Sequence, residues 1–111
     1  MSTSAHDDGK LEALRRLCGG PRDGALLRVS LANAYLARAQ AAEAVTELRH
    51  ALDFDPDYSV AWKLLAKTLE QTDASGARDA YRAGIAAATR RGDKQAVKEM
   101  TVFVRRLEKS A

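Results

Sequence analysis

Ala51-Leu52-Asp53-Phe54-Asp55-Pro56-Asp57-Tyr58 decides the fold of this chain, because it closes one helical pattern and opens the next. Pro56 has no N–H for a helix ladder and stops the helix before it. Upstream, Ala44, Val45, Leu48, Ala51 and Leu52 recur at the spacing of one helix face, which predicts a helix over 41–54. Downstream, Ala61, Trp62, Leu65, Ala66 and Leu69 do the same over 58–71, with Asp55 and Asp57 placed to cap its start. Working outward from this junction, the chain superposes on itself. A shift of 34 residues lays Arg28 on Trp62, Leu31 on Leu65, Ala32 on Ala66 and Tyr35 on Leu69. A shift of 33 lays Ala44 on Ala77, Leu48 on Tyr81, Ala51 on Gly84 and Leu52 on Ile85, so the second helix–helix turn is one residue shorter. Each unit is a helix–turn–helix with small residues where helices approach and large ones between them.

The remaining segments follow the same logic. Leu11, Leu14 and Leu17 predict a helix over 9–17, ended by Gly19-Gly20-Pro21. Asp23 is the expected N-cap of a helix over 24–38, which is apolar on two sides and therefore sandwiched. Asp73 is the expected cap of a helix over 74–91. Gly92-Asp93 combines a stop with a start, and Ala96, Met100, Phe103 and Leu107 share one face of a last helix over 94–109. No strand alternation appears, and the expected class is all-α with about six helices.

On these residues the chain resembles the tetratricopeptide repeat family, whose pattern runs Trp, Leu-Gly and Tyr in a first helix, then Ala, Phe and Pro in a second. The first unit is similar through Leu31-Ala32, Tyr35, Ala44, Leu48, Ala51-Leu52 and Pro56. The second is similar through Trp62, Leu65-Ala66, Leu69, Ala77 and Tyr81. Arg28 stands in place of Trp, Ala twice replaces the small Gly, no Pro closes the second unit, and the turn Arg38-Ala39-Gln40 lacks the usual Gly. The resemblance spans about 25–91 and implies a small bacterial-type two-repeat protein, its helix pairs stacked in a right-handed superhelix. The expected organisation is a disordered tail at 1–8 and one domain at 9–109. Within it lie a cap helix at 9–18, repeats at 25–58 and 59–91, and a cap helix at 93–109. Lys94, Lys98, Arg105 and Lys109 supply the polar outer face that a terminal helix of such a stack requires.

Composition narrows the function. The chain has 111 residues, of which 46% are hydrophobic, 30% charged and 5% aromatic, with 22 Ala. One cysteine, Cys18, excludes a disulfide framework or cysteine-rich metal site, and fits a reducing cytosol as a small hydrophobe. The polar start, Met1 to Asp8, has no signal-peptide pattern and no apolar run is long enough to span a membrane, so the expected location is cytoplasmic. Asp53, Asp55 and Asp57 imitate a calcium loop, but Tyr58 replaces its Gly and Leu64 its bidentate Glu. Glu43, Glu47 and His50 share a helix face without a further ligand and read as solvated. Ser30, Ser59 and Ser75 have no histidine at a motif spacing. We therefore expect no enzyme, no metal and no cofactor.

What the resemblance implies is protein–protein recognition, with a peptide or helix of a partner held in the concave groove lined by the first helices of the repeats. The residues expected to face that groove are Val29, Asn33, Lys63, Lys67 and Glu70. Some family members clamp an acidic carboxy terminus with Lys, Asn and Arg. Here Asn33 fits one Asn slot, but Val29, Leu64, Asp93 and Val97 stand where the other clamp residues belong, and the clamp does not carry over. Two rival readings remain. Residues 1–77 carry 9 basic and 11 acidic groups, whereas 78–111 carry 9 and 4. The basic third, with Arg78, Arg82, Arg90, Arg91, Lys94 and Lys98, offers a surface to nucleic acid or an acidic partner, though no aromatic residues interleave it. Alternatively, Leu26, Leu36 or Val102 meets a second copy. The expected state is a monomer or weak homodimer.

Overall fold

The computed structural model describes residues 2–110, in six helices: α1 Ser2–Arg15, α2 Ala25–Ala37, α3 Ala41–Phe54, α4 Ser59–Leu69, α5 Ala74–Arg91 and α6 Lys94–Ser110. No strand occurs among the described residues. Helix α1 reaches forward to Ser2, through the stretch expected as a disordered tail, while Met1 lies outside the described residues. Extending a helix costs far less than nucleating it, and the turn around the buried Leu11 supplies the nucleus.

Consecutive helices pack on one another: α2 pairs with α3, α4 with α5, α3 joins the two pairs by packing on α4, and α1 and α6 cover the ends. The body measures 40 × 31 × 20 Å. Its main core joins Ala44, Leu48, Ala51, Ala61, Leu65, Ala66, Ala77, Tyr81 and Met100, all nearly or fully buried. Alanines stand where backbones approach, and Leu48, Leu65, Tyr81 and Met100 fill the space between. Leu11, Leu27 and Leu31 are buried apart from this cluster, where α1 covers α2. Helices approach tightly at Gly84, where a Cβ would lie 2.6 Å from Met100 Sδ and 2.8 Å from Trp62 Cβ.

The helix ends divide into expected and unexpected. The Asp73 carboxylate accepts the Gly76 N–H at 2.8 Å, capping α5. Gly92 ends that helix at φ 72°, and Asp93 accepts the Ala96 N–H at 3.1 Å to start α6. Asp23, however, does not cap α2: Gly24 occupies that position without a side-chain bond. Asp55 and Asp57 likewise leave the start of α4 uncapped. In each case a guanidinium offers more than a helix amide does, because a charged fork makes stronger hydrogen bonds than one neutral N–H. Asp23 meets Arg28, Asp57 meets Arg90 at 2.6 Å, and Asp55 meets Arg91 at 2.7 Å.

Candidate binding site

Helix α2 is packed by α1 and by α3, which leaves it a narrow free face. Leu26, Asn33 and Ala37 are exposed on that face, four or seven residues apart. Val29 falls outside it. Only 5% exposed and part of the main core, Val29 presents nothing to a groove, and that expectation is corrected. Asn33 is exposed, but the crevice it lines, of about 90 Å³, is shared with Lys10 of α1 rather than with the lysines of α4.

Those lysines are engaged by α6. Lys63 Nζ donates to Glu99 Oε1 at 3.1 Å, and Lys67 Nζ lies 4.7 Å above the Phe103 ring. Both contacts join residues 36 apart, so α4 and α6 lie alongside each other in parallel. Arg106 approaches the Phe103 ring at 5.4 Å, and that ring stacks on Tyr81 with 5.6 Å between centroids. Glu70 is turned towards α5, where it accepts the Tyr81 hydroxyl at 2.5 Å. Burial, with Glu70 beside it, holds the Tyr81 phenol well above its usual range. The Lys63 ammonium and a hydrogen bond from Gln95 hold the Glu99 carboxyl below its ordinary range. Thus Lys63 and Lys67 meet along one α4–α6 seam, Glu70 points into the pair α4–α5, and Asn33 stands apart.

Between α4 and α6 lies an open cleft of about 140 Å³, lined by Ser59, Val60 and Lys63 on one side and Ala96, Glu99 and Met100 on the other. Val60 is 50% exposed there, and Leu26, 34 residues earlier, is 70% exposed at the same place in its own helix. An apolar residue exposed at equivalent positions of both first helices is the signal that sequence reasoning missed, and it was present in the superposition. The cleft can seat an apolar side chain, with the Lys63–Glu99 pair at its rim to exchange partners with an incoming charge. It holds no histidine or cysteine.

The rival surfaces are altered by ion pairing and packing. Arg82 contacts Glu108 and Asp79, and Arg90 and Arg91 are held by Asp57 and Asp55, so half of the expected basic cluster is already neutralised. Leu36 packs against the core and is not free to meet a second copy, whereas Leu26 and Val102 remain exposed. Glu47 is taken by Arg28 at 2.9 Å, which removes it from any set with Glu43 and His50. Cys18 has its thiol pKa raised by burial, the opposite of an activated nucleophile. Among the described residues no helix is long and apolar enough to cross a membrane.

Comparison with known proteins gives concordant findings. The sequence profile of the tetratricopeptide repeat matches residues 25–68. A TPR repeat-containing protein of Pseudomonas aeruginosa is 43% identical over 101 residues, covering 90% of this chain and 96% of its own length. The solution structure of protein BPP2914 from Bordetella parapertussis is 50% identical, with a TM-score of 0.76 over 90% of this chain and 88% of that one. The crystal structure of PcrH from Pseudomonas aeruginosa reaches a TM-score of 0.82 over 96% of this chain and 83% of that one, at 13% identity, and is similar in fold alone.

Proposed function

Because this chain belongs to the tetratricopeptide repeat family, we propose that it is a non-enzymatic protein–protein interaction module holding a peptide or helix of a partner across the free faces of α2, α4 and α6. The observation that carries this reading is the half-exposed Val60 beside the Lys63–Glu99 pair, over the α4–α6 cleft. An apolar side chain of the partner sits against Val60 and Ala96. A partner carboxylate competes with Glu99 for Lys63, which costs little because that pair is over one-third exposed on both sides. Leu26 receives a second apolar residue one repeat away, and Asn33 donates to or accepts from the partner's backbone. Lys67 and Glu70 act indirectly, by holding Phe103 and Tyr81 in place. The half-buried lone thiol, its pKa raised by desolvation, suits a reducing cytoplasm.

The test is affinity capture from the native lysate with wild type and a Val60→Asp variant. Val60 is exposed, so its replacement leaves the fold intact, whereas reversing Lys63 or Lys67 would also loosen α6. Partners retained by wild type and lost from Val60→Asp support the cleft. Identical partner sets from both proteins overturn it.

A further inference from the structure

Of the cations in the basic third, internal contacts hold Arg82, Arg90, Arg91 and Arg106. Lys94, Lys98, Arg105 and Lys109 make no ion pair among the described residues. These four are exposed, as is Val102 between them, at 56%. Steps of four, four, three and four residues put all five on one strip of α6, about 22 Å long, opposite the buried Met100 and Val104. Two shallow pockets flank the strip. One, of about 380 Å³, is bounded by Ala88, Val97, Lys94 and Lys98. The other, of about 330 Å³, is bounded by Val102, Arg105, Arg106 and Lys109. The acid at the first rim, Asp93, is engaged in capping α6.

We propose that this outer face of α6 docks an acidic amphipathic helix of a partner protein. Two apolar side chains of that helix, about two turns apart, enter the two pockets, and its flanking carboxylates meet the four unpaired cations. The surface differs from the α4–α6 cleft and lies on the opposite side of α6. Charge complementarity selects an acidic occupant, and the apolar Val97 and Val102 among the cations select a protein over a phosphate backbone. Single-stranded nucleic acid would need exposed rings to stack on, and the nearest ring, Phe103, is covered by Lys67 and Arg106. A helix also matches the strip in length and spacing, as a neighbouring helix in a stack would.

The probe is a fluorescent 18-residue helical peptide with Leu at two positions seven residues apart and Glu in the flanking rows. A second peptide replaces both Leu by Ser, and a 20-base-pair DNA duplex is the competing polyanion. Anisotropy titrations at 50 and 300 mM salt use wild type and an Arg105→Glu/Lys109→Glu variant, whose circular dichroism checks that the helices persist. Expected is binding at 50 mM salt that weakens at least tenfold in the variant and several-fold with the Ser peptide. No binding of the Leu peptide at 50 mM salt overturns the proposal. So does equal binding of the Leu and Ser peptides, or tighter binding of the duplex, either of which would mark the strip as a general anion surface.

Discussion

Arg28 occupies the position where the family pattern has Trp, and its surroundings explain why the replacement holds. Its guanidinium donates to both Asp23 oxygens at 2.8 and 2.9 Å and to Glu47 at 2.9 Å, in a site where all three side chains are at most 15% exposed. The paired guanidinium, with a hydrogen bond from the Gly19 N–H, holds the Asp23 carboxyl far below its ordinary value of 3.8. A carboxyl depressed in the folded chain stabilises the fold above its unfolded pKa and ceases to do so as pH falls through the folded one. Stability should therefore decline as pH drops below about 4, with Asp57 beside Arg90 and Glu99 beside Lys63 acting in the same direction. Denaturant midpoints measured from pH 6 to pH 2.5 should fall less steeply in Asp23→Asn than in wild type; parallel curves would remove the Asp23 assignment. Replacing Arg28 with Trp to match the family should lower Tm by several degrees, since it strands two carboxylates in a mostly buried site. A different departure carries strain: Ala39 sits at φ 58° in the α2–α3 turn. Ala39→Gly relieves that conformation at the cost of a looser unfolded chain, for a net gain of about 0.5–1 kcal/mol in equilibrium unfolding. A loss of stability would contradict it.

At the scale of the element, α6 is both the end cover and part of the body. Met100 is fully buried against Gly84, and Val104 is 6% exposed, so removing α6 would strip the surface of α5 around Gly84. The pairing depends on the missing Cβ at Gly84. Gly84→Ala should cost about 1–3 kcal/mol in chemical denaturation. Adding Met100→Ala should not restore the loss, because the Trp62 Cβ contact at 2.8 Å belongs to an atom fixed by the α4 backbone. Full recovery in the double variant would show that only the flexible thioether opposes the methyl group. Trp62 itself is anchored at the other end, with its indole N–H donating to the Pro56 carbonyl at 2.8 Å. The same Pro56 that ends α3 thus fixes the ring that defines the second repeat.

Across the whole molecule, burial is uneven along the stack. Leu48, Leu65, Tyr81 and Met100 are essentially sealed within α3–α6, whereas α1 packs on α2 with Leu11 buried and Leu14 and Leu17 half-buried. In a stack whose main contacts join neighbours, the end with the smallest interface opens first. Amide exchange should accordingly be at least about tenfold faster in α1 than in α4 and α5, and equal protection throughout would overturn this order. The helices themselves were legible in the sequence because periodicity and stop signals are local: α3 and α5 lie at the limits that spacing and Pro56 or Gly92 predict. The stacked pairing was legible too, since the 34- and 33-residue shifts superpose core on core. The site was legible only in part. A helix viewed alone shows which residues leave its main stripe but not how many neighbours will cover it, and so Val29 was expected in a groove and lies in the core. Lys63 and Lys67 were expected to await a partner, yet Glu99 and Phe103 of α6 meet them across a separation of 36 residues. The sequence by itself determined the class, the repeat and the alanine contact positions, because each depends on spacing along one chain direction. Only the tertiary structure decided which faces remain open and which charges remain unpaired, because those depend on where a distant helix comes to rest.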